Sequence, residues 1–312
     1  MSIELILTTR IPSPAQELLE GQYLCHKLYE AKDRAAFLAQ IGANVRGIAT
    51  FAQGGVDAAL IEALPKLEII SHYGDGVEKI DLQAAKRRNV VVARVIGLVE
   101  SCVADTVMGL MINVMRRLPQ ADAFVRTGKW TAPNTFPPAT SLSGKAVGIL
   151  GLGGIGEAVA KRALAFGMEV RYHNRRKKDL PYAYDPDLLT LARNSDVLVL
   201  AVPGGPQTER IVDAAVLDAL GPRGYLINVA RGSVVDEPVL IDYLQKKKIA
   251  GAGLDVFVNE PRLDPRFIEM ENVMLTPHVG TYTVETRTAM AHRQLENFRL
   301  HFEGKPVIDR VV

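Results

Sequence analysis

The sequence predicts an α/β protein with two doubly wound parallel-sheet domains, on three observations. Short apolar runs alternate with helix-like stretches along the chain, the signature of strand–helix–strand units. Midway, Val147-Gly148-Ile149-Leu150 runs into Gly151-Leu152-Gly153-Gly154-Ile155-Gly156, an apolar strand followed by G-x-G-x-x-G and an Ala-rich helix. Later, three apolar runs are each followed by a residue suited to chemistry: Arg231, Glu260 and His278. At 312 residues, 48% hydrophobic and 23% charged, the chain can bury a large core.

Taken in order, apolar runs at 3–8 and 45–51 alternate with helical patterns at 13–20, 31–41 and 56–64, and short strands follow at 67–71 and 89–93. Ser101 to Leu118 has helical spacing throughout and predicts a long connecting helix. From Gly128 to Ser143, Trp130 and Phe136 lie among Pro133, Pro137 and Pro138, which is loop composition; such a segment suits an arm against a second subunit or a plain surface loop. After 145 the pattern predicts a helix over 157–166, then strands over 168–172, 198–202, 224–229, 253–257 and 273–276. Thr283 to Glu303 predicts a final helix with Met290, Leu295, Phe298 and Phe302 on one side, returning to the first domain. The expected division is therefore 1–99 with 283–312, a discontinuous domain, and 100–282, with an arm near 119–143.

Composition narrows the function classes. Net charge is +2 with scattered basic residues, so no stripe of Lys and Arg points to nucleic acid or a membrane surface. Cys25 and Cys102 are far apart and lack C-x-x-C spacing, which fits a reducing compartment, by default the cytoplasm, and neither a disulfide framework nor a metal site. The opening MSIELILTTR is too polar for a secretory signal, and no apolar run approaches the ~20 residues of a membrane span.

The glycine pattern predicts a dinucleotide site, because its glycines let helix N-terminal N–H groups approach a pyrophosphate. About 20 residues on, an NAD site carries an acid for the ribose 2′-hydroxyl. This chain has Asn174, Arg175 and Arg176 there instead. Guanidinium groups suit a 2′-phosphate that a carboxylate would repel, so the expected cofactor is NADPH/NADP, with NADH weaker. The plain alternative is that Arg-Arg-Lys-Lys at 175–178 is a solvated loop.

Ligands of such sheets bind beyond the carboxyl ends of the strands, where Arg231, Glu260 and His278 fall. Singly, each reads as a solvated charge or a turn residue. Together they suit reduction of a 2-oxo acid: Arg grips the carboxylate and polarises the carbonyl, His moves the proton, and Glu stabilises the imidazolium.

Val229-Ala230-Arg231-Gly232 with Val235-Asp236-Glu237, Gly253-Leu254-Asp255-Val256-Phe257 with Glu260-Pro261, and Thr276-Pro277-His278-Val279-Gly280 resemble the D-isomer-specific 2-hydroxyacid dehydrogenase family. The likeness is strongest over 141–312 and is nearest to the NADPH-dependent glyoxylate/hydroxypyruvate reductases and the hydroxyphenylpyruvate reductases. It implies a Rossmann NAD(P)-binding domain, a smaller flavodoxin-like substrate domain and a homodimer. It implies Arg231 as the substrate-binding catalytic residue, Glu260 as partner of the histidine, and His278 as acid–base. Implied cofactor contacts are Leu152, Gly153, Gly154, Ile155, Asn174, Arg175, Arg176, Val202, Val229, Ala230, Asp255 to the nicotinamide amide, His278 and Gly280. Implied substrate contacts are Tyr73, Gly74, Asp75 and Gly76, with Arg231 and His278. An aryl pyruvate is the alternative substrate, and a non-catalytic nicotinamide-sensing protein on the same fold is the alternative class.

The chain departs from the family in its Gly74-Asp75-Gly76 loop, where relatives carry a small apolar or hydroxyl residue at the middle position. Ala93-Arg94-Val95-Ile96-Gly97 departs as well and places a cation nearby. Three readings stand: Asp75 pairs with Arg94, accepts a hydrogen bond from a substrate hydroxyl, or points into solvent.

Overall fold

The computed structural model describes residues 2–51 and 54–312. In chain order the elements are β1 (Glu4–Leu7), α1 (Ala15–Glu20), β2 (Leu24–Lys27), α2 (Arg34–Ile41), β3 (Val45–Thr50), α3 (Ala58–Glu62), β4 (Ile69–His72), α4 (Leu82–Arg87), β5 (Val91–Ala93), α5 (Glu100–Arg116) and α6 (Leu118–Arg126). Then follow β6 (Ala146–Leu150), α7 (Gly154–Ala165), β7 (Glu169–His173), β8 (Ala183–Tyr184), α8 (Leu188–Arg193), β9 (Val197–Leu200), α9 (Ala214–Leu220), β10 (Tyr225–Asn228), α10 (Glu237–Gln245), β11 (Gly251–Leu254), β12 (Val273–Leu275) and α11 (Val284–Phe302). The chain divides into two compact units, Met1–Leu98 with Tyr282–Val312, and Val99–Thr281.

The first unit holds a five-stranded sheet in the order β2-β1-β3-β4-β5. Its strand pairs are parallel, and the order reverses between β1 and β3, as in flavodoxin-like sheets. The second unit holds a seven-stranded sheet, β12-β11-β10-β9-β6-β7-β8, whose order reverses between β6 and β9. Parallel strands covered on both faces read as continuous apolar runs, and Val197–Leu200 is wholly buried. One core of the second unit gathers Leu198, Leu226, Leu240 and Leu254; another gathers Val107, Met111, Val147, Ile149 and Ile227.

The structure differs from the expectation at α5, β2, α4 and α11. The connecting helix stops at Arg116, Arg117 turns left-handed at φ +52°, and α6 begins at Leu118 with a proline in its first turn. Strand β2, at the sheet edge, and the six-residue α4 carry too little apolar periodicity to be read from sequence. In α11 the buried side chains are Thr286, Arg287, Met290, Ala291, Gln294, Asn297 and Phe298; of the expected row Met290 and Phe298 are buried, and Leu295 and Phe302 only half-buried. Backbone hydrogen-bonding groups explain the polar members. Gln294 Nε2 donates to the Ser71 carbonyl at 3.0 Å, and Asn297 Oδ1 accepts from the Ile308 N–H at 3.0 Å.

Candidate active site

Strand β6 ends in a turn that only glycine tolerates easily: Gly151 has φ +96°. Helix α7 then starts at Gly154, three residues earlier than its apolar pattern suggests, with Gly153 as an N-cap that makes no side-chain cap. A Cβ built on Gly153 meets nothing within 4 Å, whereas one built on Gly154 meets the Glu100 side chain at 2.8 Å, so the loop is open on the Gly153 side. That is the arrangement a pyrophosphate requires.

The residues after β7 close round this loop. Asn174 Oδ1 accepts from the Leu152 N–H at 2.6 Å, tying the two strand ends together. Arg175 Nη1 donates to Gln207 Oε1 at 3.1 Å, and both Arg175 and Arg176 are exposed. The one acid in the first turn of α7, Glu157, is paired with Lys178 Nζ at 2.7 Å, which cancels its repulsion of an anion. With Asn174-Arg175-Arg176 where an acid would stand, these residues fit a dinucleotide carrying a 2′-phosphate.

Across the sheet, β10, β11 and β12 are neighbours, and Asn228, Leu254 and Leu275 end them in register. The three loops that follow therefore start side by side. Asn228, 2% exposed, shapes the first: its Oδ1 accepts from the Ala230 N–H at 3.0 Å and its Nδ2 donates to the Arg231 carbonyl at 3.1 Å. Gly232 has no room for a Cβ against the backbone of Phe257, so only glycine lets the Arg231 loop pack onto the loop leading to Glu260.

Glu260 and His278 meet at the end of these loops. His278 Nδ1 lies 2.7 Å from Glu260 Oε2, while Glu260 Oε1 accepts from the Phe257 N–H at 2.9 Å. Burial pushes the Glu260 carboxyl upward, but hydrogen bonds from His278 and Phe257, with the charges of His278 and Arg231, outweigh it and hold the group below its usual range. Glu260 is therefore an ionised acceptor at neutral pH. The His278 side chain is 50% exposed, leaving its far ring edge open to a substrate. His278 is also held left-handed at φ +55°, a conformation unfavourable outside glycine. Asp255 maintains it, accepting from Thr276 Oγ1 at 2.6 Å and from the Val279 and Gly280 N–H groups at 2.8 Å.

In the first unit, Gly74, Asp75 and Gly76 follow β4. Asp75 Oδ1 accepts from Arg94 Nη1 at 2.8 Å, and the same nitrogen lies 3.3 Å from the Asp75 carbonyl. Of the three readings of Asp75, the pair with Arg94 is the one formed, in a half-exposed setting, so the carboxylate carries its own counter-charge. Tyr73 is wholly buried and its hydroxyl donates to the Arg287 carbonyl at 2.9 Å. Its side chain packs inside the unit. Burial raises its phenol above the usual range despite the nearby Arg287 charge.

Residues 108–280 match the model of the D-isomer specific 2-hydroxyacid dehydrogenase NAD-binding domain. The chain belongs to this family. Among the relatives of this dehydrogenase, the 2-ketogluconate reductase of Gluconobacter oxydans is 44% identical over 95% of the chain and 94% of its own length. The glyoxylate/hydroxypyruvate reductase A of Arabidopsis thaliana is 41% identical over 100% and 99%. The crystal structure of an NADPH-dependent glyoxylate/hydroxypyruvate reductase from Sinorhizobium meliloti, with NADP and malonate, superposes at a TM-score of 0.92 with 38% identity, over 100% of this chain and 97% of that one.

Within the dehydrogenase's second unit, Glu260 meets His278 at 2.7 Å and feels the charge of Arg231. Of the implied cofactor residues, Gly153, Gly154, Arg175 and Arg176 are exposed, and Ile155, Asn174, Val202 and Val229 are half-buried. Leu152, Ala230, Asp255 and Gly280 are buried, and the Leu152 N–H is already spent on Asn174. Sequence reasoning missed Asn228 and Thr276. Each is a hydrogen-bonding residue at the carboxyl end of an apolar strand, a signal that was readable beside Arg231 and His278. Among the described residues, no helix is long and apolar enough to cross a membrane.

Proposed function

We propose that this dehydrogenase reduces small 2-oxo acids, glyoxylate and hydroxypyruvate among them, to 2-hydroxy acids with NADPH. The observation that carries the reading is His278 held at 2.7 Å by an ionised Glu260 that also senses the charge of Arg231. An imidazole fixed through Nδ1 presents Nε2 as the proton donor. Arg231 grips the substrate carboxylate bidentately and polarises the adjacent carbonyl. His278 gives its proton to the carbonyl oxygen as negative charge develops there, and Glu260 stabilises the imidazolium beforehand. Within the first unit, Asp75 is neutralised by Arg94.

The nicotinamide, when bound, supplies the hydride. Gly153, Gly154 and the first turn of α7 hold its pyrophosphate, with Arg175 and Arg176 at the 2′-phosphate. Removing one charge-assisted hydrogen bond costs about 1.5–3 kcal/mol. Arg175→Ala therefore weakens NADPH binding roughly ten- to a hundredfold and barely alters NADH binding. Fluorescence titration with both cofactors measures this, and equal losses would refute the 2′-phosphate contact.

The reading as a whole is tested by loss of absorbance at 340 nm with glyoxylate, hydroxypyruvate, an aryl pyruvate and a sugar 2-oxo acid, each with NADPH and NADH. Turnover with NADPH on the small acids is expected. Cofactor binding without turnover on any acid would make the protein a sensor. Two free cysteines fit a cytoplasmic enzyme. The exposed Leu118, Val125 and Trp130, the last 63% accessible, favour a homodimer through the segment near 119–143, which sedimentation of the intact chain measures.

A further inference from the structure

The glycine loop has an acidic neighbour that the steps above do not use. Glu100, in the first turn of α5, lays its side chain over Gly154, the first residue of α7. Its Cγ lies 2.8 Å and its Oε1 3.1 Å from the position that a Cβ on Gly154 would take, so glycine there makes room for the carboxylate. Both residues belong to the second unit.

Helix packing fixes the contact. Further along α7, Arg162 donates from Nε to Asp105 Oδ1 at 2.7 Å and from Nη2 to Ser101 Oγ at 2.8 Å, both on α5. The two helices therefore run side by side with their N-termini at the same end, and Glu100 stands at both. Its Oε2 accepts from the Val99 N–H at 3.0 Å, a backbone donor that orients the carboxylate and brings no positive charge. The N–H groups and macrodipole that attract a phosphate to a helix N-terminus favour a carboxylate there as well. Seating one anion opposes the arrival of the second, because like charges a few ångströms apart repel. The Gly153 side of the loop stays open, so the carboxylate weakens phosphate binding without blocking it.

We propose that Glu100 sets the affinity and the release rate of the dinucleotide, its carboxylate opposing the pyrophosphate at the N-terminus of α7. This rests on the dinucleotide-binding reading above. A reductase must release its spent cofactor at every turnover, and release of product limits the rate of many enzymes.

The test is Kd for NADPH and NADH by fluorescence titration, with the dissociation rate by stopped-flow displacement, in the wild type, Glu100→Gln and Glu100→Asp. Glutamine keeps the shape and an oxygen for the Val99 N–H and removes the charge. Glu100→Gln binds both cofactors roughly three- to tenfold more tightly, chiefly through slower release. The preference for NADPH over NADH stays within about twofold of wild type, because the pyrophosphate is common to both. Glu100→Asp keeps the charge and gains clearly less. A gain under about twofold in Glu100→Gln overturns the proposal, and so does a loss, which would mean that the carboxylate accepts a hydrogen bond from the cofactor. An equal gain in Glu100→Asp also overturns it, since side-chain length and not charge would then be the cause. If the glutamine variant does not fold, Glu100→Ala decides against Glu100→Asp by the same two measurements. A wild type that binds neither cofactor instead refutes the dinucleotide reading, before any variant is compared.

Discussion

Replacing His278 with alanine lowers kcat for 2-oxo acid reduction by roughly 10²–10⁴, the range lost when a positioned general acid is removed. The histidine is held on several sides at once. Glu260 fixes Nδ1 at 2.7 Å, and Asp255 anchors the Val279 and Gly280 N–H groups that follow it. Because the carboxyl of Glu260 lies below its usual range, its pairing contributes stability that is present above that range and is lost as pH falls through the lowered folded value. The pair is therefore intact throughout the neutral pH at which reduction is assayed. Steady-state kinetics with saturating NADPH measure the loss, and a fluorescence titration checks that the variant still binds cofactor. A variant with binding intact and kcat within tenfold of wild type would remove His278 from the mechanism.

Replacing Arg231 with alanine lowers kcat/KM by roughly 10²–10³, comparable to removing a preorganised donor from a developing oxyanion. Two functions are lost together: the bidentate grip on the carboxylate and the charge facing the carbonyl oxygen. Arg231→Lys recovers little, because an ammonium cannot reproduce the fork. The loop itself should survive, since Asn228 holds it through the Ala230 N–H and the Arg231 carbonyl, both backbone groups that remain in the variant. Measurement of kcat and KM separately on glyoxylate checks this. A loss confined to KM would make Arg231 a binding residue with no role in stabilising the transition state.

Much of this architecture was legible in the chain because parallel strands are buried on both faces and read as apolar runs. The run Val147 to Leu150 before the glycines and the run before Arg231 are of that kind. What escaped reading had a different physical basis. Strand β2 sits at an edge and is only partly buried, and α4 has six residues, so neither shows a sustained period. Helix α11 turns Arg287, Gln294 and Asn297 inward, so a search for apolar periodicity finds only Met290 and Phe298 of its buried face.

The sequence by itself marked the α/β alternation, the glycine loop, the Asn174-Arg175-Arg176 run beyond it and the residues Arg231, Glu260 and His278 that follow strands. Each is a local pattern, a run or a motif whose meaning lies within a few neighbouring residues. Tertiary structure alone decided which distant groups meet. It chose the pair with Arg94 among the three readings of Asp75, and it set the implied Glu260–His278 pair at 2.7 Å. It made Asp255 the anchor of a strained histidine and enclosed Arg287 among three rings. Such pairings depend on strand order and register, which are set by packing of the whole sheet and leave no trace in local spacing.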